Sequence, residues 1–237
     1  MLEVGGYTPL STTDWPDRLA AVVFIQGCPW RCHYCHNPQL QPRDGEAAQP
    51  GASRPSWPDL VRRLGRRVGL IDGVVFSGGE PTLDPALPQA ADEVRALGLR
   101  VGLHTAGIYP ARLQALLPGL DWVGLDVKTD LADYERVTAV RDSGGPVLRS
   151  LQLVLDAGVD CEVRTTWHPR LVRHAALLNL AELLRDAGVR RWVLQRFRPV
   201  TAAQRSALGA TEAVPQGALL DELRQALGPS GPALAVR

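Results

Sequence analysis

Short apolar runs alternate with longer amphipathic stretches along most of this chain, from Ala20 to Pro199. Six of these runs are rich in Val and Leu, which is typical of strands buried on both faces in a parallel sheet. The pattern therefore predicts six strands, which are Ala21–Gln26, Gly73–Phe76, Arg100–His104, Trp122–Val127, Cys161–Thr166 and Trp192–Gln195.

Three of the amphipathic stretches predict helices, namely Pro85–Leu97, Val147–Ala157 and His174–Ala187. Each ends at a glycine, and glycine readily adopts the left-handed backbone that terminates a helix. Strands that alternate with helices predict parallel βαβ units with right-handed crossovers. A full eight-unit barrel needs about 250 residues, so the α/β pattern favours a partial (βα)6 barrel with outer helices. A flat doubly wound sheet is the alternative.

The remaining segments lack this alternation. Gln41–Ser56 is rich in Pro, Gly and Ala and predicts a flexible loop. Residues 201–237 predict one helix, Gly217–Leu227, and a tail with no assigned role. A chain of 237 residues can bury one full core, so we expect a single domain over 1–237 with its core in about 15–200.

Composition narrows the choice of partners and location. The formal net charge of +1 gives no reason to expect nucleic acid or an anionic membrane as a main partner. No run approaches the roughly 18 apolar residues of a membrane-spanning helix, and the first residues lack a signal-peptide pattern. Four cysteines, three of them clustered, fit a metal site in a reducing compartment better than disulfides. We therefore expect a cytoplasmic protein.

The clustered cysteines provide the clearest chemical signal. Cys28, Cys32 and Cys35 have the spacing C-x3-C-x2-C and lie in a segment that we call the cysteine loop, Gly27–Asn37. Four-iron clusters normally take four cysteine ligands, so three thiolates would leave one iron open to a substrate. A structural zinc site is the alternative, although such a site normally needs four protein ligands. Cys161, on a predicted strand, is interpreted as a small buried apolar residue.

The cysteine loop resembles that of radical S-adenosylmethionine (SAM) enzymes, with Tyr34 in the aromatic position of the motif. The string Cys35-His36-Asn37-Pro38 and the segments Ser11–Pro16 and Val22–Gly27 resemble the activating proteins of glycyl-radical enzymes. Within that branch, the chain is most similar to activators of anaerobic ribonucleoside-triphosphate reductase. The resemblance covers about residues 1–200.

The resemblance implies a mechanism. Cys28, Cys32 and Cys35 would hold a [4Fe–4S] cluster, and SAM would bind its open iron. Reductive cleavage of SAM would give methionine and a 5′-deoxyadenosyl radical, which would remove hydrogen from a backbone glycine of a partner. That partner would be a glycyl-radical enzyme, and the resemblance favours anaerobic ribonucleotide reductase. The electron that cleaves SAM would come from a low-potential donor such as a flavodoxin or a ferredoxin.

Polar residues follow every predicted strand, which places them at the carboxyl end of the sheet, where parallel α/β proteins have their sites. By resemblance, the glycine-rich motif after the second strand contacts the SAM amino group, and an Asp-x-Lys pair after the fourth strand contacts SAM. Arg164 is assigned to the SAM carboxylate from its position on the fifth strand. The candidate SAM-binding residues are Tyr34, Ser77, Gly78, Gly79, Glu80, Thr105, Asp126, Lys128, Arg164 and Gln195.

Two further details concern this candidate site. Of the 26 basic residues, only Lys128 is a lysine, and it falls within the Asp-x-Lys pair, where a compact charge differs in effect from a guanidinium. Related activators commonly have Asp-Thr-Asn-Gly after the third strand, whereas this chain has His104-Thr105-Ala106-Gly107. If relatives use that turn to hold a cation or to position SAM, this chain must do so differently.

Two other functions remain possible at this point. One is a small-molecule radical SAM enzyme, such as a deazapurine-forming enzyme, against which the Cys35–Pro38 string argues. The other is a non-catalytic iron–sulfur carrier, which would not explain the polar motifs at the other strand ends.

Overall fold

The computed structural model describes residues 1–43, 55–209 and 217–237. Eight strands form one sheet in the order in which they occur along the chain. They are β1 (Val4–Ser11), β2 (Ala20–Ile25), β3 (Gly73–Gly78), β4 (Arg100–Thr105), β5 (Trp122–Asp126), β6 (Asp160–Trp167), β7 (Arg191–Arg196) and β8 (Ala233–Val236). The first pair, β1 and β2, is antiparallel, and every later pair is parallel.

At least one helix lies between each pair of consecutive parallel strands. The helices are α1 (Trp57–Gly65), α2 (Leu87–Ala96), α3 (Pro110–Leu116), α4 (Tyr134–Thr138), α5 (Gly144–Asp156), α6 (His174–Asp186), α7 (Ala202–Leu208) and α8 (Ala218–Leu227). No helix within the described ranges is long and apolar enough to cross a lipid bilayer.

The structure confirms the predicted α/β partial barrel. The six predicted strands are β2 to β7, and the sheet does not close on itself. The three predicted helices are α2, α5 and α6, and the glycines that follow them, Gly98, Gly158 and Gly188, all have positive φ. The predicted C-terminal helix is α8.

Two strands were not predicted. β1 adds an antiparallel edge strand beside β2, and β8 turns the C-terminal tail into a parallel edge strand beside β7. The predicted loop Gln41–Ser56 lies mostly on 44–54, outside the described residues.

The two faces of the sheet bury different residues because neighbouring side chains on a strand point in opposite directions. The outer face packs against the helices and forms the large core. The inner face carries a smaller cluster consisting of Trp15, Ala20, Val22, Val75 and Trp122. The rings of Trp15 and Trp122 stack with centroids 5.7 Å apart. Trp15 belongs to the segment between β1 and β2. This segment therefore fills the inner face toward the amino ends of the strands.

Candidate active site

The cysteine loop follows β2 and is held by backbone hydrogen bonds from several parts of the chain. Gly27 donates to the Leu40 carbonyl at 2.8 Å, and Cys28 donates to Gln41 at 2.9 Å. The side-chain amide of Gln204, in α7, donates to the Cys35 carbonyl at 2.8 Å. The loop that carries the three cysteines is therefore held both by the segment that follows it and by the distant helix α7.

The three thiols of the loop are free and half-buried, and all three line one cavity at the carboxyl ends of the strands. Burial raises the pKa of the Cys28 thiol to about 12, so iron would have to displace a proton there, as thiolate ligation generally requires. Among the described residues, no group of His, Cys, Asp or Glu is placed to hold a single metal ion. A four-iron cluster does not need the thiols to converge, because each cysteine binds a different iron.

Gly78 and Gly79 bring the end of β3 against β2 and the cysteine loop. A Cβ on Gly78 would lie 2.3 Å from the Ile25 nitrogen, and one on Gly79 would lie 2.2 Å from the Gly27 oxygen. Gly78 also has a φ of +124°, which side-chain-bearing residues rarely adopt. Both glycines line the cavity, so their missing side chains let the chain pack closely and leave backbone exposed to a ligand.

Glu80 has a different position from the rest of the predicted site. It is fully buried, and it is not among the residues that line the cavity. Its carboxylate accepts hydrogen bonds from the backbone and hydroxyl of Thr82, the hydroxyl of Thr105 and the backbone of Ala106. Burial raises its pKa in spite of these bonds. The geometry makes Glu80 a tie between the loops after β3 and β4, and its predicted contact with SAM stays a prediction.

His104 occupies the position where related activators have an acidic residue. Its Nε2 lies 2.7 Å from the carbonyl oxygen of Asp14 and must donate, since a carbonyl only accepts. Its Nδ1, 3.2 Å from the Ser77 hydroxyl, is then left to accept in the neutral ring. Burial, aided by Arg164, lowers the pKa of His104 to about 3. With its proton directed at His104, the Ser77 hydroxyl presents its lone pairs to the cavity.

Asp126 lies between two cations. The register of β5 and β6 places it beside Arg164, whose Nε donates to Asp126 Oδ1 at 3.0 Å. The ammonium of Lys128 is 3.6 Å from Oδ2 of the same carboxylate. Burial opposes ionisation of Asp126, but Arg164 and Lys128 outweigh it and hold its pKa below the ordinary value. The trio carries one net positive charge toward the cavity.

Gly124 makes room for the guanidinium of Arg164. A Cβ at this position would lie 2.9 Å from the Arg164 Cζ, and Arg164 also donates to the Gly124 carbonyl at 3.3 Å. Arg164 therefore points inward and lines the cavity. Cys161, three residues earlier, points to the helices and is buried in the large core, as predicted.

Lys128 is buried between aromatic rings. Its Nζ lies 5.4 Å from the centre of the Tyr34 ring and 5.9 Å from that of Trp30, within cation–π range. Burial disfavours the ammonium, but Tyr34 and Asp126 outweigh that effect and raise the pKa of Lys128 well above its ordinary value. Lys128 is therefore charged, and it contacts both Asp126 and the cysteine loop.

The remaining predicted residues also reach the cavity. Thr105 lines it while donating to Glu80. Gln195, on β7, lines it beside Thr166 of β6, with side-chain oxygens 3.5 Å apart. Every predicted site residue except Glu80 is therefore brought to one cavity.

Some residues of the cavity wall were not predicted from the sequence. Trp30, Asn37 and Thr166 line it but were given no role. Thr166 was within reach of sequence reasoning, because it lies two residues after Arg164 and so shares its face of the strand. Trp30 gave no comparable signal, since its position depends on the folding of the cysteine loop.

The residues around the cavity fit an iron–sulfur cluster with SAM. Three thiols stand at one side. A net positive trio suits a carboxylate, and backbone and hydroxyl lone pairs suit an amine.

Comparison with known proteins agrees with this chemistry. Residues 22–174 match the Radical SAM superfamily. A Methanocaldococcus jannaschii protein, provisionally named a glycyl-radical enzyme activating enzyme, is 28% identical over 210 residues, which cover 84% of this chain and 81% of that protein. A pyruvate formate-lyase-activating enzyme from Clostridium pasteurianum is 33% identical over 126 residues, covering 51% of this chain and 50% of the relative.

Solved structures show the same fold at low sequence identity. Streptococcus suis SuiB bound to S-adenosylmethionine matches with a TM-score of 0.65 and 14% identity, over 90% of this chain and 48% of SuiB. The chain thus spans about half the length of SuiB. A radical SAM methyltransferase from Sphaerobacter thermophilus matches with a TM-score of 0.66 and 17% identity, over 94% of this chain and 67% of the methyltransferase.

Proposed function

The chain belongs to the Radical SAM superfamily, and from that membership we propose that it activates a glycyl-radical enzyme, anaerobic ribonucleoside-triphosphate reductase. Its cofactors are a [4Fe–4S] cluster and SAM. The observation that carries the proposal is the meeting of three loop thiols with Asp126, Lys128 and Arg164 in one cavity.

Cys28, Cys32 and Cys35 would hold the cluster, and its fourth iron would be left for SAM. Together the two cofactors supply one-electron cleavage of SAM into a radical that abstracts hydrogen. The protein's own residues bind and orient SAM. Arg164 and Lys128 carry two positive charges against the single carboxylate of Asp126, so they would attract the SAM carboxylate. The lone pairs of Ser77 would accept a hydrogen bond from a donor such as the SAM amine.

The branch of the family is supported by sequence similarity. Relatives that match this chain are named as activating enzymes of glycyl-radical enzymes or of pyruvate formate-lyase. The string Cys35-His36-Asn37-Pro38 resembles activators of glycyl-radical enzymes, and within that branch the chain resembles activators of anaerobic ribonucleotide reductase. A low-potential flavodoxin or ferredoxin is the proposed source of electrons.

The proposal is tested by electron paramagnetic resonance. We expect reduced, cluster-loaded protein with SAM to produce a glycyl radical doublet on anaerobic ribonucleotide reductase and not on pyruvate formate-lyase. Cys32→Ser should abolish both the cluster absorbance and the doublet. Cys161→Ser is the matched control, because it changes a buried core thiol outside the cavity, and it should retain both.

The outcomes separate the alternatives. A doublet on pyruvate formate-lyase alone would change the partner and keep the activating function. SAM cleavage at full rate without a doublet on any glycyl-radical enzyme would favour a small-molecule substrate. A loaded and reduced protein that leaves SAM intact would point to an electron carrier.

A further inference from the structure

A second cavity lies beside the cysteine loop, and we call it the basic groove. It has a volume of about 540 Å³. One wall is the cysteine loop with Arg31, another is α7, and a third contains Arg136 of α4 and Arg170 from the turn after β6. Cys32 and Cys35 line both this groove and the candidate active site.

The groove is strongly basic although the whole chain is nearly neutral, with a formal net charge of +1. Its described lining residues include Arg31, Arg136 and Arg170 but no Asp or Glu. The buried carboxylate of Asp133, which lies next to Arg136, is also paired with Arg173 and so offers the groove little negative charge. Arginine stays charged at any physiological pH.

The basic groove and the candidate active site lie on different sides of the cysteine loop. Asp126, Lys128 and Arg164 line the active site but not the groove. A substrate that must reach SAM therefore belongs in the active site. An electron only has to reach the cluster, which the thiols shared by the two cavities would hold.

We propose that the basic groove is the docking site for an acidic, low-potential electron-transfer protein of the flavodoxin or ferredoxin type. The reduced donor loses one electron to the cluster and leaves oxidised by one electron. This inference rests on the proposed function. Charge complementarity selects the donor, since redox partners form small, weak, electrostatically steered complexes. The three arginines would attract it and orient it toward Cys32 and Cys35.

The test uses cluster-loaded protein and an acidic flavodoxin as the probe. Arg136→Glu/Arg170→Glu reverses two charges on two walls of the groove. Arg63→Glu/Arg66→Glu is the matched control, because it makes the same change in exposed residues in and just after α1, away from the groove. Flavodoxin affinity is measured by calorimetric titration, and the rate of cluster reduction is followed by stopped flow at several salt concentrations.

We expect the groove variant to weaken flavodoxin binding and slow cluster reduction at least about tenfold at low salt, with the control near wild type. Photoreduced deazariboflavin, a small uncharged reductant, should reduce the cluster of both variants at the wild-type rate. Wild-type reduction by flavodoxin should slow as salt rises.

Four results would overturn the proposal. They are equal losses in the groove variant and the control, no loss in either, loss with deazariboflavin as well, or a wild-type rate that is indifferent to salt. If the double variant does not take up a cluster, Arg170→Glu alone is tested in its place, because Arg170 is exposed and this change keeps the pairing of Arg136 with Asp133. A groove variant that is reduced normally by flavodoxin but no longer forms the glycyl radical would reassign the groove to the glycyl-radical partner. Failure of wild-type protein to cleave SAM with either reductant would instead refute the proposed function.

Discussion

Lys128 shows at the scale of one residue how the site uses its charges. It is the sole lysine of the chain, and it lies between Asp126 and the rings of Tyr34 and Trp30. An arginine keeps the charge, but its larger planar group does not fit a space made for a compact ammonium.

We expect Lys128→Arg to weaken SAM binding by roughly 1.5–3 kcal/mol, the value of a hydrogen bond to a charged group, while the fold survives. Equilibrium binding of SAM and circular dichroism would measure the two effects. Arg112→Lys, an exposed change outside the cavity, is the control. SAM affinity equal to wild type in Lys128→Arg would mean that the residue is a lysine for reasons unrelated to the ligand.

His104 makes the stability of the folded protein depend on pH. Its folded pKa, lowered to about 3 by burial and Arg164, lies below the ordinary value near 6.5. Between these values the unfolded chain binds a proton that the folded protein rejects, so stability falls as the pH falls.

We expect His104 to contribute about 1.4 kcal/mol less stability at pH 5.5 than at pH 7.5. His104→Gln cannot take up this proton, so its stability should change less with pH by that amount. Urea unfolding of the cluster-free proteins at several pH values measures the difference. Parallel pH profiles in the two proteins would show that His104 is readily protonated in the folded state.

Single residues were predictable where the strand pattern fixes their direction. Arg164 and Cys161 lie three residues apart, so the two-residue repeat of a strand places them on opposite faces; Arg164 lines the cavity and Cys161 lies in the large core. The position of Glu80 was not predictable, because its partners Thr105 and Ala106 come from the end of another strand.

At the scale of elements, the central parallel strands were predictable because both their faces are buried and their sequences are continuous apolar runs. β1 was missed because Val4–Ser11 contains two glycines and a proline and is only partly buried. β8 was missed because its four residues lie in a Pro- and Gly-rich tail, and its strand form depends on pairing with β7.

The short helix α7 illustrates a role that was not apparent from sequence. Gln204 accepts hydrogen bonds from the backbone of Val200 and Thr201 and so caps the helix, while its amide nitrogen donates to Cys35. One side chain thus joins the helix to the cysteine loop.

We expect Gln204→Glu to keep the cap, since a carboxylate still accepts, but to lose the donor to the Cys35 carbonyl. The looser loop should release iron to a chelator several-fold faster than wild type, with helix content unchanged by circular dichroism. Gln152→Glu is the control, because Gln152 is exposed on α5 and bonds only Asp156 among the described contacts. Equal iron release from both variants would contradict the role of Gln204.

At the scale of the whole molecule, the two ends of the sheet have different characters. The carboxyl ends of the strands carry the cysteine loop and all the charged groups of the site. Toward the amino ends, the inner face is apolar and is filled by Trp15 stacked on Trp122. A partner that presents a glycine must therefore approach from the carboxyl ends, where the open sheet leaves room for a peptide loop.

We expect amide hydrogen exchange to slow on partner binding at the carboxyl-end segments 27–43, 79–86 and 127–133, because a docked surface excludes water from them. The amino-end segments 12–19 and 66–72 should exchange as in the free protein and serve as the internal control. Protection should be partial, since a partner that must release its glycine loop and later recover it binds with modest affinity. The comparison uses cluster-loaded protein with SAM, with and without the ribonucleotide reductase. Protection confined to the amino-end segments would place the partner on the wrong end of the sheet for hydrogen abstraction. Docking over the carboxyl ends would then be wrong even if a glycyl radical forms.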